Sequence, residues 1–390
     1  MLKVFNGFLV MPEKTVLYNA HVKLGADMVD FAGYLMPVRY QTTIIDEHLA
    51  VRNNVGMFDT SHMGRYWVTG NDSKKFFDFL VPRNIMKLQD GKSGYTFILN
   101  KDGGFKDDVI ITQFTEKEFM LICNAGNRSK IWKWVNDIAG EWTKEGKDIQ
   151  LEDRSAISCM IAVQGPKAIP LLEKIFKTEL PVNRFRFKWV DLNNEKLLFS
   201  TTGYTGSAGG EVILFGEINN ILEKSIELWN LFLENQIVPC ALGSRDTLRL
   251  EAGYRLYGND LNEELHLLES GLDFYPFADI EKEAGYMGQQ AVLEKKGKTE
   301  KTVVPFKLLG RGIARHDYNV LINDKEVGKV LSGTQSPMTK ESFGMALVPL
   351  SHKEIGSKFM IQIRKKFIEA EVIKLPIYDE KKYGVNIIHR

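Results

Sequence analysis

The amino-acid sequence predicts an α+β fold that is divided into several domains. Segments with the apolar spacing of helices are mixed with short β-rich segments, without the regular strand-helix alternation of a doubly wound sheet. After about residue 300 only strand patterns follow one another, which indicates a separate all-β domain. The 390 residues are 44% apolar and 26% charged, a composition that supports a large core and two or three domains.

Helical spacing of apolar residues is found repeatedly in the first 240 residues. The segments are 43–54, 72–81, 127–142, 167–176 and 217–236. Asp72 is predicted to be the N-cap of the second segment. A further helix is predicted to begin with Ser244 as its N-cap and Asp246 in its first turn, where an acidic side chain suits the helix dipole.

Strand patterns fill the intervals between these helices and then the C-terminal part. They lie at residues 95–100, 107–114, 118–124, 159–163 and 196–202, and later at 302–309, 318–323, 326–333, 343–350, 358–366 and 367–375. The stretch "LINDKEVG" at 321–328 is typical of a hairpin turn. The charged region 260–300, which runs into "EKKGKTEK", is predicted to join the two parts.

Charge balance and residue spacing exclude several classes of function. Fifty-one Lys and Arg against 50 Asp and Glu leave no overall field that would attract nucleic acid or an anionic membrane. Three isolated cysteines and seven scattered histidines predict neither a disulfide framework nor a metal site. Since no apolar run approaches the roughly eighteen residues of a membrane span, we expect a soluble protein of the cytoplasm or of an organelle matrix.

The glycine-rich stretch "TTGYTGSAGGEV" (201–212) lies between two strand patterns and ends in a carboxylate. No lysine follows the glycines and no helix begins there, so the stretch does not fit a phosphate-binding loop. A bend that ends in Glu211 suits a ligand with N–H donors instead. The alternative is a glycine-rich hairpin in which Tyr204 is packed and Glu211 is exposed.

Two adjacent acids, Asp107 and Asp108, follow the turn at Gly103 and Gly104. Neighbouring strand residues point to opposite faces, so at most one of the two can enter a given pocket. The alternative is that both acids cap the turn through its backbone N–H groups.

Three further polar positions have both a functional and a structural interpretation. Arg245, near the positive end of a helix dipole, needs an anion, which is Asp246, Glu251 or a ligand carboxylate. Asn124 ends a strand and either binds a heterocycle or caps the next helix. His62 and Met63 form either part of a site or a polar turn whose methionine fills a core gap.

Read in order, these stretches resemble the aminomethyltransferase (T-protein) family of the glycine cleavage system. The matching segments span nearly the whole chain and are "LGADMVDFAGYLMPVRY", "EHLAVRNNVGMFDTSHMG", "NKDGGFKDDVI", "CNAGN", "AVQGPKA", "TGYTGSAGGE", "LGSRDTLRLEAGYRLYGNDL", "RGIARHDYNV" and "SGTQSPM". The resemblance implies a three-domain folate-binding fold around a central opening. Its domains would be a discontinuous first domain (1–66 and 153–262), an inserted α+β domain (67–152) and a C-terminal β-barrel or jelly-roll-like domain (263–390).

The resemblance also implies roles for individual residues. Glu211 would accept the N–H donors of the pteridine of tetrahydrofolate, with Tyr204 packed beside it. Asp108, not Asp107, would be catalytic and face the N5 and N10 region of the folate, and Arg245 would lie near the reacting end. The remaining pocket residues would be Met63, Tyr95, Asn124 and Tyr254.

The implied reaction takes an aminomethyl group from the lipoyl arm of the H-protein, transfers its methylene to tetrahydrofolate and releases ammonia. Two departures from the family pattern concern the loop and the segment that borders the cavity. Thr201 stands where the family has an arginine, and "LHLLESGLDF" (265–274) lacks the family's proline and tryptophan.

These departures leave two alternatives to the T-protein. One is a tetrahydrofolate-dependent demethylase or related one-carbon transferase with a different donor, which the altered 265–274 segment permits. The other is a non-catalytic folate-binding factor of iron-sulfur assembly. The absence of that group's cysteine from "EAGYMGQQA" (283–291) counts against it, as does the presence of Asp108.

Overall fold

The computed structural model describes residues 3–5 and 8–389. Helices and strands mix irregularly up to residue 300 and a closed barrel of strands follows, so the predicted α+β class with a C-terminal β-barrel is confirmed. The helices are α1 (Tyr18–Lys23), α2 (Ile44–Asn53), α3 (Ser73–Leu80), α4 (Arg128–Lys144), α5 (Ala168–Phe176), α6 (Ile221–Glu234), α7 (Leu242–Ala252), α8 (Gln289–Lys295) and α9 (Glu380–Tyr383). Short 3₁₀ turns lie at Ile85–Lys87, Ala125–Asn127, Leu267–Glu269 and Leu350–His352.

A six-stranded sheet draws its strands from two separate stretches of the chain. In sheet order they are β13 (Phe187–Leu192), β14 (Glu195–Ser200), β15 (Gly209–Phe215), β12 (Ser158–Gln164), β6 (Gly56–Asp59) and β16 (Val238–Pro239). Helices α5 and α6 cover one face, where Leu172, Trp229 and Phe232 are fully buried against the sheet residues Ile161 and Val212. The spacing of apolar residues along these helices therefore matches the face that they bury.

A five-stranded antiparallel sheet is formed by the chain between these two stretches. In sheet order its strands are β11 (Gln150–Asp153), β7 (Gly64–Thr69), β10 (Glu118–Cys123), β9 (Phe105–Thr115) and β8 (Lys92–Leu99). Helices α3 and α4 pack on one face through Phe76, Phe77 and Ile131. The predicted domain limits at 67 and 152 fall inside β7 and β11, and the division of the chain into three domains stays a prediction.

The uncovered faces of the two sheets pack against each other. Trp67 and Met120 of the five-stranded sheet share one buried cluster with Met160, Leu198 and Ile213 of the six-stranded sheet. Because side chains alternate along a strand, every second residue of the facing strands points into this interface. Polar residues beyond the edge of the apolar cluster are thereby brought opposite one another.

The C-terminal barrel closes on itself through six strands. In barrel order they are β17 (Lys301–Leu308), β20 (Ser342–Pro349), β19 (Lys325–Gln335), β18 (Asn319–Ile322), β21 (Lys358–Ile363) and β22 (Lys366–Val372). Phe343 and Met345 pack outside the barrel core, against Phe97, Phe105 and Leu250. The barrel is thus joined to the five-stranded sheet and to helix α7 by one apolar cluster.

Two small sheets complete the fold near the N-terminus. The strands of the three-stranded sheet are, in order, β3 (Glu13–Lys14), β5 (Tyr34–Arg39) and β4 (Asp27–Phe31). The two-stranded sheet consists of β1 (Lys3–Phe5) and β2 (Phe8–Val10). Within residues 3–5 and 8–389, no helix has the length and apolarity that a membrane span needs.

The helices predicted from apolar spacing form as α2 to α6, and Asp72 is the N-cap of α3 as predicted, but the predicted N-cap of α7 is wrong. Helix α7 begins at Leu242 with Ala241 as its N-cap, and Ser244 lies inside the helix. The capping acceptor comes from a distant helix, because Glu47 Oε2 accepts from Ala241 N at 2.8 Å and from the Ser244 hydroxyl at 2.8 Å. Asp72 occupies the predicted N-cap position of α3, yet its carboxylate accepts from Asp148 N at 3.0 Å instead.

Two leucine-to-alanine substitutions in α6 test which face of the helix packs on the six-stranded sheet. Leu228 is 4% exposed and Leu222 is 50% exposed. We expect Leu228→Ala to lower the free energy of unfolding by about 2 to 5 kcal/mol, because it leaves a cavity against the sheet. Leu222→Ala should cost less than about 1 kcal/mol. Denaturant unfolding followed by tryptophan fluorescence measures both, and equal losses would contradict the described packing.

Candidate active site

The facing sheets place two carboxylates at one edge of their shared interface. Asp108 lies two residues before Ile110 on β9, and Glu211 lies two residues before Ile213 on β15. Ile110 and Ile213 both belong to the apolar cluster between the sheets. Since residues i and i+2 of a strand share a face, both acids point into the same interface.

Asp108 and its neighbour Asp107 share one amide donor. Asn124 Nδ2 donates to Asp108 Oδ1 at 2.7 Å and to Asp107 Oδ1 at 2.8 Å. Asp107 is fully buried and also accepts from Asn124 N at 2.9 Å and from Asn127 Nδ2 at 2.6 Å. Tyr95 donates its hydroxyl to Asp108 Oδ2 at 2.9 Å. Asp107 therefore accepts three hydrogen bonds from Asn124 and Asn127, whereas Asp108 accepts one from Asn124 and one from Tyr95.

The structural alternatives for these residues are wrong. The turn at Gly103 and Gly104 is capped by Asn100 Oδ1, which accepts from Asp102 N and Gly104 N at 2.9 Å each. Asn124 precedes a 3₁₀ turn, but its side chain makes no capping bond there. The amide of Asn124 is instead used to hold the two acids.

Burial raises the pKa of both acids of the pair. Repulsion from Asp108 adds to this shift at Asp107, whereas the hydrogen bonds from Tyr95 and Asn124 to Asp108 oppose it. Burial also raises the pKa of Tyr95 well above its ordinary value, so this phenol remains a donor across the physiological range. Asp108 is thus a carboxylate whose charge depends on two named hydrogen bonds.

Glu211 is buried on the opposite sheet, so the alternative of an exposed glutamate is wrong. It is 6% exposed and pairs in register with Ala162 and Ser200. Thr202 donates its hydroxyl to Glu211 Oε2. Burial raises the pKa of Glu211, and the Thr202 hydrogen bond and the Arg245 charge oppose that shift. A second carboxylate oxygen remains free of any described hydrogen bond.

Arg245 pairs with neither Asp246 nor Glu251, the two acids that the sequence offered as partners. Asp246 pairs with Arg249 at 2.8 Å, and Glu251 pairs with Arg52 at 3.1 Å. Nη1 of Arg245 is buried and has no hydrogen-bond partner among the described residues. The guanidinium lies 4.9 Å from the centre of the Tyr204 ring. Its charge interacts with that of Glu211, and the ligand anion stays a prediction.

The predicted aromatic residues surround this space. The rings of Tyr204 and Tyr254 are stacked with centres 5.9 Å apart and an interplanar angle of 26°. Met63 is partly buried at the edge of the apolar cluster between the sheets. Burial is the main cause that raises the pKa of Tyr204, and the charge of the Asp108 carboxylate adds to it, which indicates that these two side chains lie near each other. Their roles in binding and catalysis stay predictions.

Two polar residues of the site were not singled out from the sequence. Thr202 is the hydroxyl donor to Glu211. Asp260 is fully buried, pairs with Arg249 and raises the pKa of Asp108 by its charge. Both lie within segments that carry the family resemblance, and their partners Glu211 and Arg249 are only 9 and 11 residues away, but no local pattern indicates these contacts. Across the described ranges, no group of three His, Cys, Asp or Glu side chains could hold a metal ion.

Two family models cover most of the chain. The model described as the GCVT N-terminal domain matches residues 17–277. The model described as the glycine cleavage T-protein C-terminal barrel domain matches residues 301–379.

Curated relatives and a solved structure extend over nearly the same length. An aminomethyltransferase of Thermosipho melanesiensis is 41% identical over 366 residues, which cover 93% of this chain and 96% of the relative. One from Clostridium botulinum strain Okra is 38% identical over 375 residues, which cover 94% of this chain and 97% of the relative. The crystal structure of glycine cleavage system aminomethyltransferase T from Bartonella henselae matches with a TM-score of 0.86 and 28% identity over 95% of this chain and 99% of that chain.

The hydrogen bond from Tyr95 makes the charge of Asp108 testable. Removing it in Tyr95→Phe withdraws a donor that favours the ionised form, so we expect the Asp108 titration midpoint to move to higher pH. Difference infrared spectroscopy of the carboxyl band that disappears in Asp108→Asn measures the midpoint. Tyr318→Phe in the barrel is the matched control, and an unchanged or lower midpoint in Tyr95→Phe would refute the assignment.

Proposed function

The chain belongs to the aminomethyltransferase (T-protein) family of the glycine cleavage system, and we propose that it transfers the methylene of a lipoyl-bound aminomethyl group to tetrahydrofolate. In this reaction the methylene carbon exchanges its bonds to the amine nitrogen and to the lipoyl sulfur for bonds to two folate nitrogens. Ammonia leaves, and the sulfur ends as a thiol. The donor protein would be the lipoylated H-protein, which we propose as a transient partner.

One observation carries the assignment of the site. A partly buried carboxylate, Asp108, and a buried one, Glu211, point into one interface from facing sheets, and Arg245 lies with an unpartnered guanidinium nitrogen at Tyr204. A flat heterocycle with N–H donors fits the two acids, because buried charges require partners. Tetrahydrofolate, the acceptor that we propose, has such a heterocycle in its pteridine, and Arg245 would lie near its reacting end.

The two acids would have different tasks. Glu211 would accept hydrogen bonds from the pteridine, since its environment leaves an oxygen available and Thr202 holds the other. Asp108 would orient the reacting folate amine and stabilise positive charge on the methylene carbon as ammonia leaves. Holding the two reactants together in an enclosed site contributes up to roughly 7 to 11 kcal/mol in well-oriented systems.

The remaining pocket residues would support these two. Tyr95 and Asn124 hold Asp108, and Tyr204 and Tyr254 offer stacked rings for the folate to pack against. Met63 would provide an apolar contact at the edge of the cluster between the sheets. A cytoplasmic location stays a prediction from the sequence.

The segment 265–274 keeps one alternative open. The ring of Phe274, which is 51% exposed, lies 5.0 Å from that of Phe277, whose centre is 5.3 Å from that of Tyr95. The altered segment therefore reaches Tyr95, which donates to Asp108, through two successive aromatic contacts. A folate-dependent demethylase with a different one-carbon donor is the second candidate.

The donor can be identified directly. With tetrahydrofolate and aminomethylated H-protein, we expect one ammonia to be released for each methylene transferred, because the nitrogen and the carbon come from the same aminomethyl group. Ammonia and methylene-tetrahydrofolate are measured together. Confirmed folate binding without ammonia release would favour the second candidate, which is then assayed with an N-methylated amine as the donor.

Asp108→Asn separates binding from chemistry. The amide keeps the size of the side chain but loses its charge, so we expect tetrahydrofolate binding to persist while turnover falls by about 10²- to 10⁴-fold. Calorimetric binding and the ammonia assay measure the two effects. Asp102→Asn, on the exposed turn before β9, is the control, and a near-normal rate in Asp108→Asn would remove Asp108 from the mechanism.

We expect Glu211→Gln to reduce binding more than turnover, the reverse of the effect of Asp108→Asn. Replacing a charge-assisted hydrogen bond by a neutral one should weaken tetrahydrofolate binding by roughly ten- to hundredfold, with a smaller effect on the rate at saturation. The exposed Glu217→Gln serves as its control. Equal affinity in Glu211→Gln and the wild-type protein would exclude Glu211 from the pteridine site.

A further inference from the structure

The C-terminal segment 373–389 leaves the barrel and returns to the six-stranded sheet. Ile377 N donates to Glu251 O at 3.1 Å, and His389 N donates to Pro166 O at 2.8 Å. Ile388 packs against the main core of that sheet. The segment thus crosses the outer side of the glycine-rich loop 201–209, and Val385 lines a small cavity with residues of that loop.

Tyr378 is the residue of this segment that contacts the loop. It is buried, and its hydroxyl donates to Gly206 O at 3.0 Å. Gly206 has a φ of +73°, and a Cβ atom there would lie 2.3 Å from Tyr378 Oη. The position of the Tyr378 hydroxyl therefore leaves room only for a glycine at 206, whose backbone is in the left-handed conformation. Burial raises the pKa of Tyr378 to about 12, so its hydroxyl remains a donor.

Arg52 holds the same loop from the other side of the Tyr378 ring. Its Cζ lies 4.1 Å from the ring centre. Its Nη1 donates to Thr205 O at 2.6 Å and to Ser207 Oγ at 2.8 Å. The charge of Arg52 is balanced by Glu251, which also accepts from Ser336 of the barrel. Helix α2, helix α7, the barrel and the C-terminal segment therefore meet at one loop.

We propose that Tyr378 is a positioning residue, which together with Arg52 fixes the carbonyls of Thr205 and Gly206 and thereby holds Tyr204 in place for the ligand. The inference rests on the proposed function, since Tyr204 belongs to the predicted folate pocket. A loop with three glycines loses much conformational freedom when it is ordered. Arg52 and Tyr378 donate hydrogen bonds to the adjacent carbonyls of Thr205 and Gly206, which orders the loop before the ligand binds. Binding then does not have to supply the conformational entropy that ordering the loop costs.

The effect of Tyr378 should appear in binding rather than in the chemical step. Tyr378→Phe keeps the ring on Arg52 and removes only the bond to Gly206. We expect the Kd for tetrahydrofolate to rise roughly three- to tenfold, the size of one lost neutral hydrogen bond, with kcat at saturation unchanged within about twofold. Amide hydrogen exchange should increase in peptides that cover residues 202–208 and stay unchanged in the sheets.

Tyr383→Phe is the matched control, because Tyr383 lies in the same segment without a described contact to the loop. Unchanged Kd and unchanged loop exchange in Tyr378→Phe would overturn the proposal, and so would equal effects in both variants. If the wild-type protein does not bind tetrahydrofolate, the proposed function fails. Loop exchange in the ligand-free protein then still decides whether Tyr378 restrains residues 202–208.

Discussion

The constraint on which the site depends is the face-to-face packing of two sheets across an apolar cluster. Asp108 and Glu211 continue the two faces that this cluster covers, so their separation is set by strands and not by mobile loops. Carboxylates buried in this way are costly without donors. Each has them from its own side, Tyr95 and Asn124 for one and Thr202 for the other. The sheets thus fix the positions while local hydrogen bonds maintain the charges.

Helix α7 carries two charged residues that are paired within the protein and one, Arg245, that has an unpartnered nitrogen at the candidate site. Arg249 is buried with Asp260, and Glu251 is buried with Arg52, so these charges are balanced within the protein. Arg245 lies in the same helix, one turn earlier, and has a buried nitrogen with no partner in the described part of the chain. A buried and incompletely partnered cation is unfavourable for stability alone. The charge of Arg245 interacts with that of Glu211, and a bound anion as a further partner stays a prediction.

The sequence was sufficient for features that depend on local pattern and insufficient for those that depend on distant partners. Apolar spacing predicted α2 to α6 and the C-terminal strands, because a buried face leaves a periodic trace. Alternation along β9 left Asp107 and Asp108 undecided, since both faces of that strand are covered. The cap of α7 was missed because Glu47, which supplies it, is 194 residues away from Ala241. Tyr378 had no recognisable signal for the same reason.

The strands that begin and end the five-stranded sheet, β7 and β11, are direct neighbours and pair antiparallel. Residues 64–153 therefore leave and re-enter the rest of the fold at one place, without threading through it. As the chain emerges from a ribosome, all five of these strands are available when the six-stranded sheet has only β6. Because units that are complete early fold first during synthesis, the side of the site with Asp108 would be assembled before Glu211 is translated. The half of the site that carries Glu211 would then be completed last.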